Sequence, residues 1–320
     1  MDKTARAHLR VCTFKGLQNL ALYVAIKQGF FALHGLEIEI SYTTGSVAQI
    51  SGLARSEYDL IQTNPDNVVN VDSNPAAFGL DPANAAHVVI LFGGSSGPLS
   101  LYAQPGITTF EDLRGLAPGV DNASSGLALV LRDILMRNGM ALNRDYTFVV
   151  AGGTSARLDA LLSGTIPATI LYSPYDRIAG ERGFNRLAIS TDYYAAYASI
   201  CTAALQPWIE THPNLVTNYI AAYLQALSWI FEPGNALLVQ RLLESEPALG
   251  LDATMAKYAC EAFVDPVTGF HVEGGMGDRG LQQVIDLRAT YTSPLTSPGL
   301  PADYQDLRWY QQAEEMLNRS

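Results

Sequence analysis

The sequence predicts an α/β protein of two lobes, one inserted into the other, with a helical C-terminal part. Three observations predict it. Strand-like and helix-like segments alternate from His8 to Gly94, the alternation restarts after "LYAQPGITTFEDLRG", and from Gln206 onward the apolar spacing is almost all helical. Alternation of this kind means a mostly parallel sheet with helices on both faces. The boundaries fall at 1–100 for the first lobe, 101–200 for the inserted lobe, and 201–320 for the return to the first lobe plus C-terminal helices. The crossings are expected near Ser100 to Ala103 and near Ala198 to Cys201.

In the first lobe, "HLRVCT" (His8 to Thr13) reads as a strand and "KGLQN" as a polar loop. Leu20, Val24, Phe30 and Phe31 fit one helix from about Leu20 to His34, stopped by Gly35. "LEIEISY" alternates as a strand does, and Ser46 in "TTGS" is a candidate N-cap. "YDLIQT" is a third strand, after which Asn64 caps a helix with Pro65 at its first position. "HVVILFGG" is a fourth. A right-handed crossover helix returns the chain after each strand, so all four strands end on one edge. Ligands of such sheets collect outside the carboxyl ends of the strands. "KGLQN", "TTGS", "TNPDN" and "FGGSSG" therefore line one rim.

The second lobe repeats the scheme. "LAPGV" leads into the turn Asp121 to Ser125 and a helix from about Gly126 to Gly139. "YTFVV" leads through Gly152–Gly153 into a helix capped by Thr154. "PATIL" leads through Tyr172, Ser173, Pro174 and Tyr175 into another helix. Its rim is "DNASSG", "AGGTS" and "YSPY".

Composition excludes several classes. Hydrophobic residues make up 48% and charged residues 16%, enough apolar surface for a sizeable core. A net charge of -11 argues against nucleic acid or an anionic membrane as partner. Cys12, Cys201 and Cys260 form no CxxC and no Cys/His pair at metal spacing, so no disulfide framework, metal site or other cofactor is expected. No apolar run is long enough to span a bilayer, so no membrane insertion is expected. "MDKTARAHLRV" lacks an apolar leader core. Two locations stay open: extracytoplasmic or periplasmic with a leader removed, or cytoplasmic.

"AIKQGFFALHGLEIEI", "SGLARSEYDLIQTNPD", "GITTFEDLRG" and "GGTSARLDALLSGTIPATIL" occur in that order. In this the chain, from about Leu9 to Arg288, resembles the NMT1/THI5-like (SsuA/TauA-type) substrate-binding proteins of ABC importers, the branch serving sulfonates, nitrate, taurine and thiamine-pyrimidine precursors. The resemblance implies a type II periplasmic-binding-protein fold whose lobes close by hinge motion over a small organic ligand in an interlobe cleft. It implies an ABC permease as partner and a monomeric working state. Ligand contacts carried over by position are Lys15, Gln18, Asn19, Gly45, Ser46, Asn64, Asp66, Asn67, Gly94, Ser95, Asn122, Ser124, Ser125, Gly153, Thr154, Tyr172 and Tyr175. Enzymes also occur on this scaffold. The desulfinase type needs an Arg-x-Gly-Gly loop and the suicidal pyrimidine synthase a cysteine-rich motif; neither stands here.

Two functional readings therefore compete: a solute-binding protein for a heterocycle, a sulfonate or an aromatic acid, and an enzyme of decarboxylase, desulfinase or hydrolase type with Cys12 or His271 as its working group. Cys12 is either an activated nucleophile or a small buried hydrophobe in a strand, and Val11 and Phe14 favour the latter. His271 lies in "GFHVEGGMG", a glycine-rich loop able to fold over a cleft. His34, His87 and His212 read as ordinary surface or helix-end residues. "DNASSG" and "GGTS" open helices and suit a polar acceptor or simple capping. Tyr172 and Tyr175 suit stacking on a planar ligand. Arg157 and Arg177 are expected on solvent or lobe surfaces.

Overall fold

The structure, a computed structural model, describes residues 6–81, 87–95, 97–266, 269–275, 277–292 and 299–319. In chain order the first strands and helices are β1 (Ala7–Thr13), α1 (Leu20–Lys27), α2 (Phe30–Leu33), β2 (Leu36–Tyr42), α3 (Ser46–Ala54), β3 (Leu60–Thr63), α4 (Pro65–Ser73) and β4 (Val88–Ser95). Then come β5 (Ser100–Ala103), β6 (Gly119–Val120), α5 (Gly126–Arg137), β7 (Val149–Val150), α6 (Thr154–Leu162), β8 (Ala168–Leu171), α7 (Tyr175–Glu181) and β9 (Asn185–Ile189). The chain ends with β10 (Ile200–Leu205), α8 (Gln206–Thr211), α9 (Pro213–Phe231), α10 (Ala236–Ser245), α11 (Ala253–Phe263), α12 (Asp278–Tyr291), α13 (Pro301–Tyr304) and α14 (Arg308–Asn318).

The chain divides into two compact units. The first comprises Met1–Ser96, Ala198–Asp278 and Gly299–Ser320, the second Gly97–Tyr197 and Arg279–Pro298. The first carries a five-stranded sheet in the order β2-β1-β3-β10-β4, the second a sheet in the order β7-β6-β8-β5-β9.

Each sheet is mostly parallel, as the alternation predicts, with one reversed strand. β10 runs antiparallel to both β3 and β4, and β5 runs antiparallel to both β8 and β9. The remaining four strands of each sheet share one direction. The reversed strands are those reached by the chain as it passes from one unit to the other and back, so no crossover helix precedes them. All four co-directional strands still end on one edge of each sheet, and the rims form as expected.

In the first unit α1, α2 and α9 cover one sheet face. Leu9, Leu20, Val24, Phe31, Leu91, Ile220 and Leu227 form one fully buried cluster there, with Tyr219 stacked on Phe31 at 5.2 Å. His34 helps dock α9: its Nε2 lies 2.9 Å from Gln225 Oε1 and its carbonyl accepts from Asn218 Nδ2. In the second unit Leu158, Leu161, Ile166 and Leu171 pack with Tyr102 and Tyr175.

Three local expectations change. The helix expected from Leu20 to His34 breaks at Gly29, whose φ of +77° closes α1 and leaves α2 to restart, with Gly35 at φ +73° ending it. Ser46 is the first helical residue of α3 rather than its cap. The extended residue before it is Gly45, and Thr43 Oγ1 shapes the turn by accepting the Gly45 amide and donating to the Gly45 carbonyl. Thr154 likewise opens α6, with the extended Gly153 at the cap position, and its hydroxyl accepts from Arg157 instead of a helix amide.

Candidate functional site

The first unit's rim is built from the ends of β1 to β4. Thr13 is fully buried at the end of β1, and its hydroxyl donates to Asn19 Oδ1 at 2.6 Å. Asn19 Nδ2 and Gln18 Nε2 both donate to the Phe14 carbonyl, at 2.7 and 2.9 Å, which folds "KGLQN" back over the strand end. Gly16 permits this: a Cβ there would stand 2.1 Å from Gln18 Oε1. Gln18 and Asn19 are buried, while Lys15 is exposed with its Nζ 5.6 Å from the ring centre of Tyr42. Tyr42 ends β2, and its hydroxyl lies 2.9 Å from that of Tyr23.

Beside them, the extended Gly45 leads into the buried Ser46, which starts α3. At the end of β3, Asn64 Oδ1 accepts the Asp66 amide at 2.9 Å, and Asn67 Nδ2 donates to Thr63 Oγ1 at 2.8 Å. Asn64 is thus the helix cap read from the sequence, and Asp66 is 1% exposed. At the end of β4, Gly94 and Ser95 are buried. The His271 amide donates to the Gly94 carbonyl at 2.7 Å, so the glycine-rich loop is pinned to this rim with the His271 side chain exposed. Ser96 lies outside the described residues.

The second unit's rim is built from the ends of β6, β7 and β8. Asn122 Oδ1 accepts both the amide and the hydroxyl of Ser124, at 2.9 and 3.0 Å. Ser125 caps α5 by accepting the Ala128 amide. Arg288 of α12, fully buried, donates to the Ser124 carbonyl at 2.8 Å. Gly152 turns at φ +84° into Gly153 and Thr154. After β8, Tyr172 and Tyr175 meet edge to face with ring centres 6.0 Å apart, across a cis Ser173–Pro174 bond. Burial pushes both phenols up, and pushes the Asp176 carboxyl up as well.

Sequence reading missed three residues. Arg157, expected at a surface, is 1% exposed beneath this rim. Burial pulls its pKa down, opposed by the charge of Asp121. The unused signal was an arginine in the first turn of a helix, where the dipole disfavours a cation. Tyr42 carried no signal beyond its place at a strand end. Arg288 lay far down the chain from the loop it holds.

Cys12 is fully buried, and burial, the leading cause, pushes its thiol up to about 11. That disfavours the thiolate a nucleophile needs. Among the described residues no group of three His, Cys, Asp or Glu side chains could hold a metal ion, and no helix is long and apolar enough to cross a membrane.

Each unit therefore presents short Gly, Ser, Asn and Thr turns at the carboxyl ends of co-directional strands, the place where α/β sheets take ligands. No curated protein matches the chain. Solved structures do. The periplasmic nitrate-binding protein NrtA from Synechocystis PCC 6803 matches with a TM-score of 0.84 at 10% identity, over 98% of this chain and 90% of that one. The alkanesulfonate-binding protein SsuA from Xanthomonas axonopodis pv. citri, bound to MOPS, matches at 0.73 and 15% identity, over 95% and 99%. A Candida albicans gene product described as having the generic periplasmic binding protein fold matches at 0.68 and 15%, over 98% and 95%. At these identities the likeness shows the fold. The family model described as NMT1/THI5 like matches residues 17–236, more than half of the chain, and the chain belongs to the NMT1/THI5-like family.

Proposed function

We propose that this chain is a solute-binding protein that captures a small organic molecule and delivers it to the permease of an ABC importer. The observation that carries the reading is the pair of polar, capped rims, one per unit, each at the carboxyl ends of co-directional strands. Family membership and the nitrate- and sulfonate-binding proteins of like fold support it. Transport of this kind places the protein outside the cytoplasm, working as a monomer.

Of the three ligand types, a planar heterocycle or aromatic acid fits the rims better than a sulfonate. The partly exposed Tyr172, backed edge to face by the buried Tyr175, offers an aromatic ring, while Asn122 and Ser124 add neutral polar atoms. Lys15 is an exposed cation on the first rim, whereas Arg157 on the second already donates to four protein oxygens. A sulfonate draws its affinity from charged and N–H donors.

The enzyme reading requires a working thiol or imidazole. Cys12 is buried under α3, where Gln49 and Tyr58 surround it. The test is to incubate the purified protein with a metabolite extract and identify by mass spectrometry what it retains. One unchanged molecule per chain is expected. Depletion far beyond one equivalent with a new product would replace this reading with the enzyme.

A further inference from the structure

The Arg157 guanidinium is a hub inside the second unit. Its Nε donates to Thr169 Oγ1 at 3.1 Å, its Nη1 to the Gly152 carbonyl at 2.9 Å, and its Nη2 to Thr154 Oγ1 at 3.1 Å and to the Ile170 carbonyl at 3.2 Å. Asp121 Oδ1 stands 3.8 Å from Nη1. Thr169 passes the connection on, donating its own hydroxyl to the Gly119 carbonyl at 2.7 Å. One side chain thus ties together the turn after β6, the turn after β7 and the end of β8, which are the three segments that form this unit's rim.

We propose that Arg157 is the positioning residue of the second unit's ligand rim, setting the placement of Thr154, Gly152 and Asp121 without itself touching the solute. The inference rests on the solute-binding reading for its purpose. Three physical points support it. A buried cation is a costly way to obtain stability, since well-packed apolar replacements are often as stable. Its planar fork fixes the directions of several acceptors at once, which the single ammonium of lysine cannot do. Its site is not explained by capping, because Ser125 caps α5 and Gly153 precedes α6 with no side-chain cap.

The geometry has a consequence for recognition. Thr154 Oγ1 accepts from Nη2, so the Thr154 proton points away from the guanidinium. That proton is directed to the Tyr172 hydroxyl, so the Tyr172 proton is the donor left for the rim, and the solute atom beside it must be an acceptor, such as a ring nitrogen, a carbonyl or a carboxylate oxygen. Loss of the fork frees the hydroxyl to rotate and relaxes that choice.

The test is Arg157→Lys, which keeps the charge and removes the fork. Two measurements are made on the full chain: amide hydrogen exchange by segment, and titration calorimetry with MOPS, nitrate, cytosine and benzoate. Exchange in segments 119–126, 150–156 and 168–176 is expected to rise about tenfold, with α5 beyond its first turn unchanged, because each lost charged hydrogen bond is worth roughly that factor. Affinity for the tightest of the four probes is expected to fall about tenfold, and the spread between probes to narrow. Exchange and affinity equal to the parent would overturn the proposal. So would a rise in exchange spread evenly over the whole unit, which marks a merely structural residue. Should the parent bind none of the four probes, the solute-binding reading is what suffers, and the exchange map still decides the role of Arg157. Should the lysine variant not fold, Thr169→Val leaves the guanidinium in place and removes the Nε acceptor together with its link to the Gly119 carbonyl. A local rise of about threefold in the same segments then supports the proposal, and an unchanged map overturns it.

Discussion

Ser125 Oγ stands 2.6 Å from Asp121 Oδ1 and also accepts the Ala128 amide at 3.2 Å. One hydroxyl thus caps α5 and orients a rim carboxylate, joining helix stability to site geometry. Ser125→Ala should lower stability by about 1 kcal/mol, the usual loss of an N-cap, read as a shift of the urea midpoint. Ser125→Asp keeps the cap but sets a second carboxylate against Asp121. It should recover less than a Thr replacement does.

Asp133 is 6% exposed and accepts three hydrogen bonds, from Tyr194 Oη at 2.6 Å, Tyr291 Oη at 2.7 Å and Arg137 Nε at 2.8 Å. It ties α12 to α5 within the second unit, and burial first, with its bonds second, pushes both phenols up. Asp133→Ala takes the acceptor from two phenols and the half-exposed Arg137 and should cost about 3 kcal/mol, while Asp133→Asn, which keeps an acceptor oxygen, should cost about half as much. Urea unfolding of the two variants side by side checks the ratio.

The Asp145 carboxyl is held down at about 2, first by its bond from Arg144, then by the Ala141 amide, with Arg114 adding its charge. The folded pKa lies below the unfolded value of about 4, so the contribution is fully present above about pH 4. It is lost as pH falls toward about 2. Asp145→Asn should therefore lie below the parent in stability at neutral pH, and the gap should close between about pH 4 and 2. Acid titration of the unfolding midpoint for both proteins gives the curve; a gap that widens on acidification would refute the assignment.

All three cysteines are free and buried. Burial pushes Cys12 up to about 11 and raises Cys201 and Cys260 also. A disulfide reagent at about pH 8 should label the folded protein at least a hundredfold more slowly than the urea-unfolded chain, which should yield three thiols. Cys12→Ala should leave solute affinity within about twofold of the parent, since its Sγ packs toward Gln49 and Tyr58 rather than lining a rim.

Much of this molecule was written in local pattern. Alternating "LEIEISY" is β2, Asn64–Pro65 opens α4, and Ser125 opens α5, each where its residues place it. Those features are local: side-chain period, a cap oxygen two or three residues from its amide, a proline that needs no donor. The rims followed, because four co-directional strands must end on one edge. The break at Gly29 is also local in cause, yet a glycine within apolar helical spacing reads equally as tolerated or as terminal.

What the sequence alone determined, then, was the alternation of elements, the two-unit plan with its family, and the turns that form each rim. Only the tertiary structure decided the reversed direction of β5 and β10, the burial of Arg157 and Cys12, and the hold of Arg288 on Ser124. The reason is physical. Caps and periodicity act over a few residues, whereas strand pairing and the burial of a charge depend on partners far off in sequence, such as Asp121 and Thr169 for Arg157.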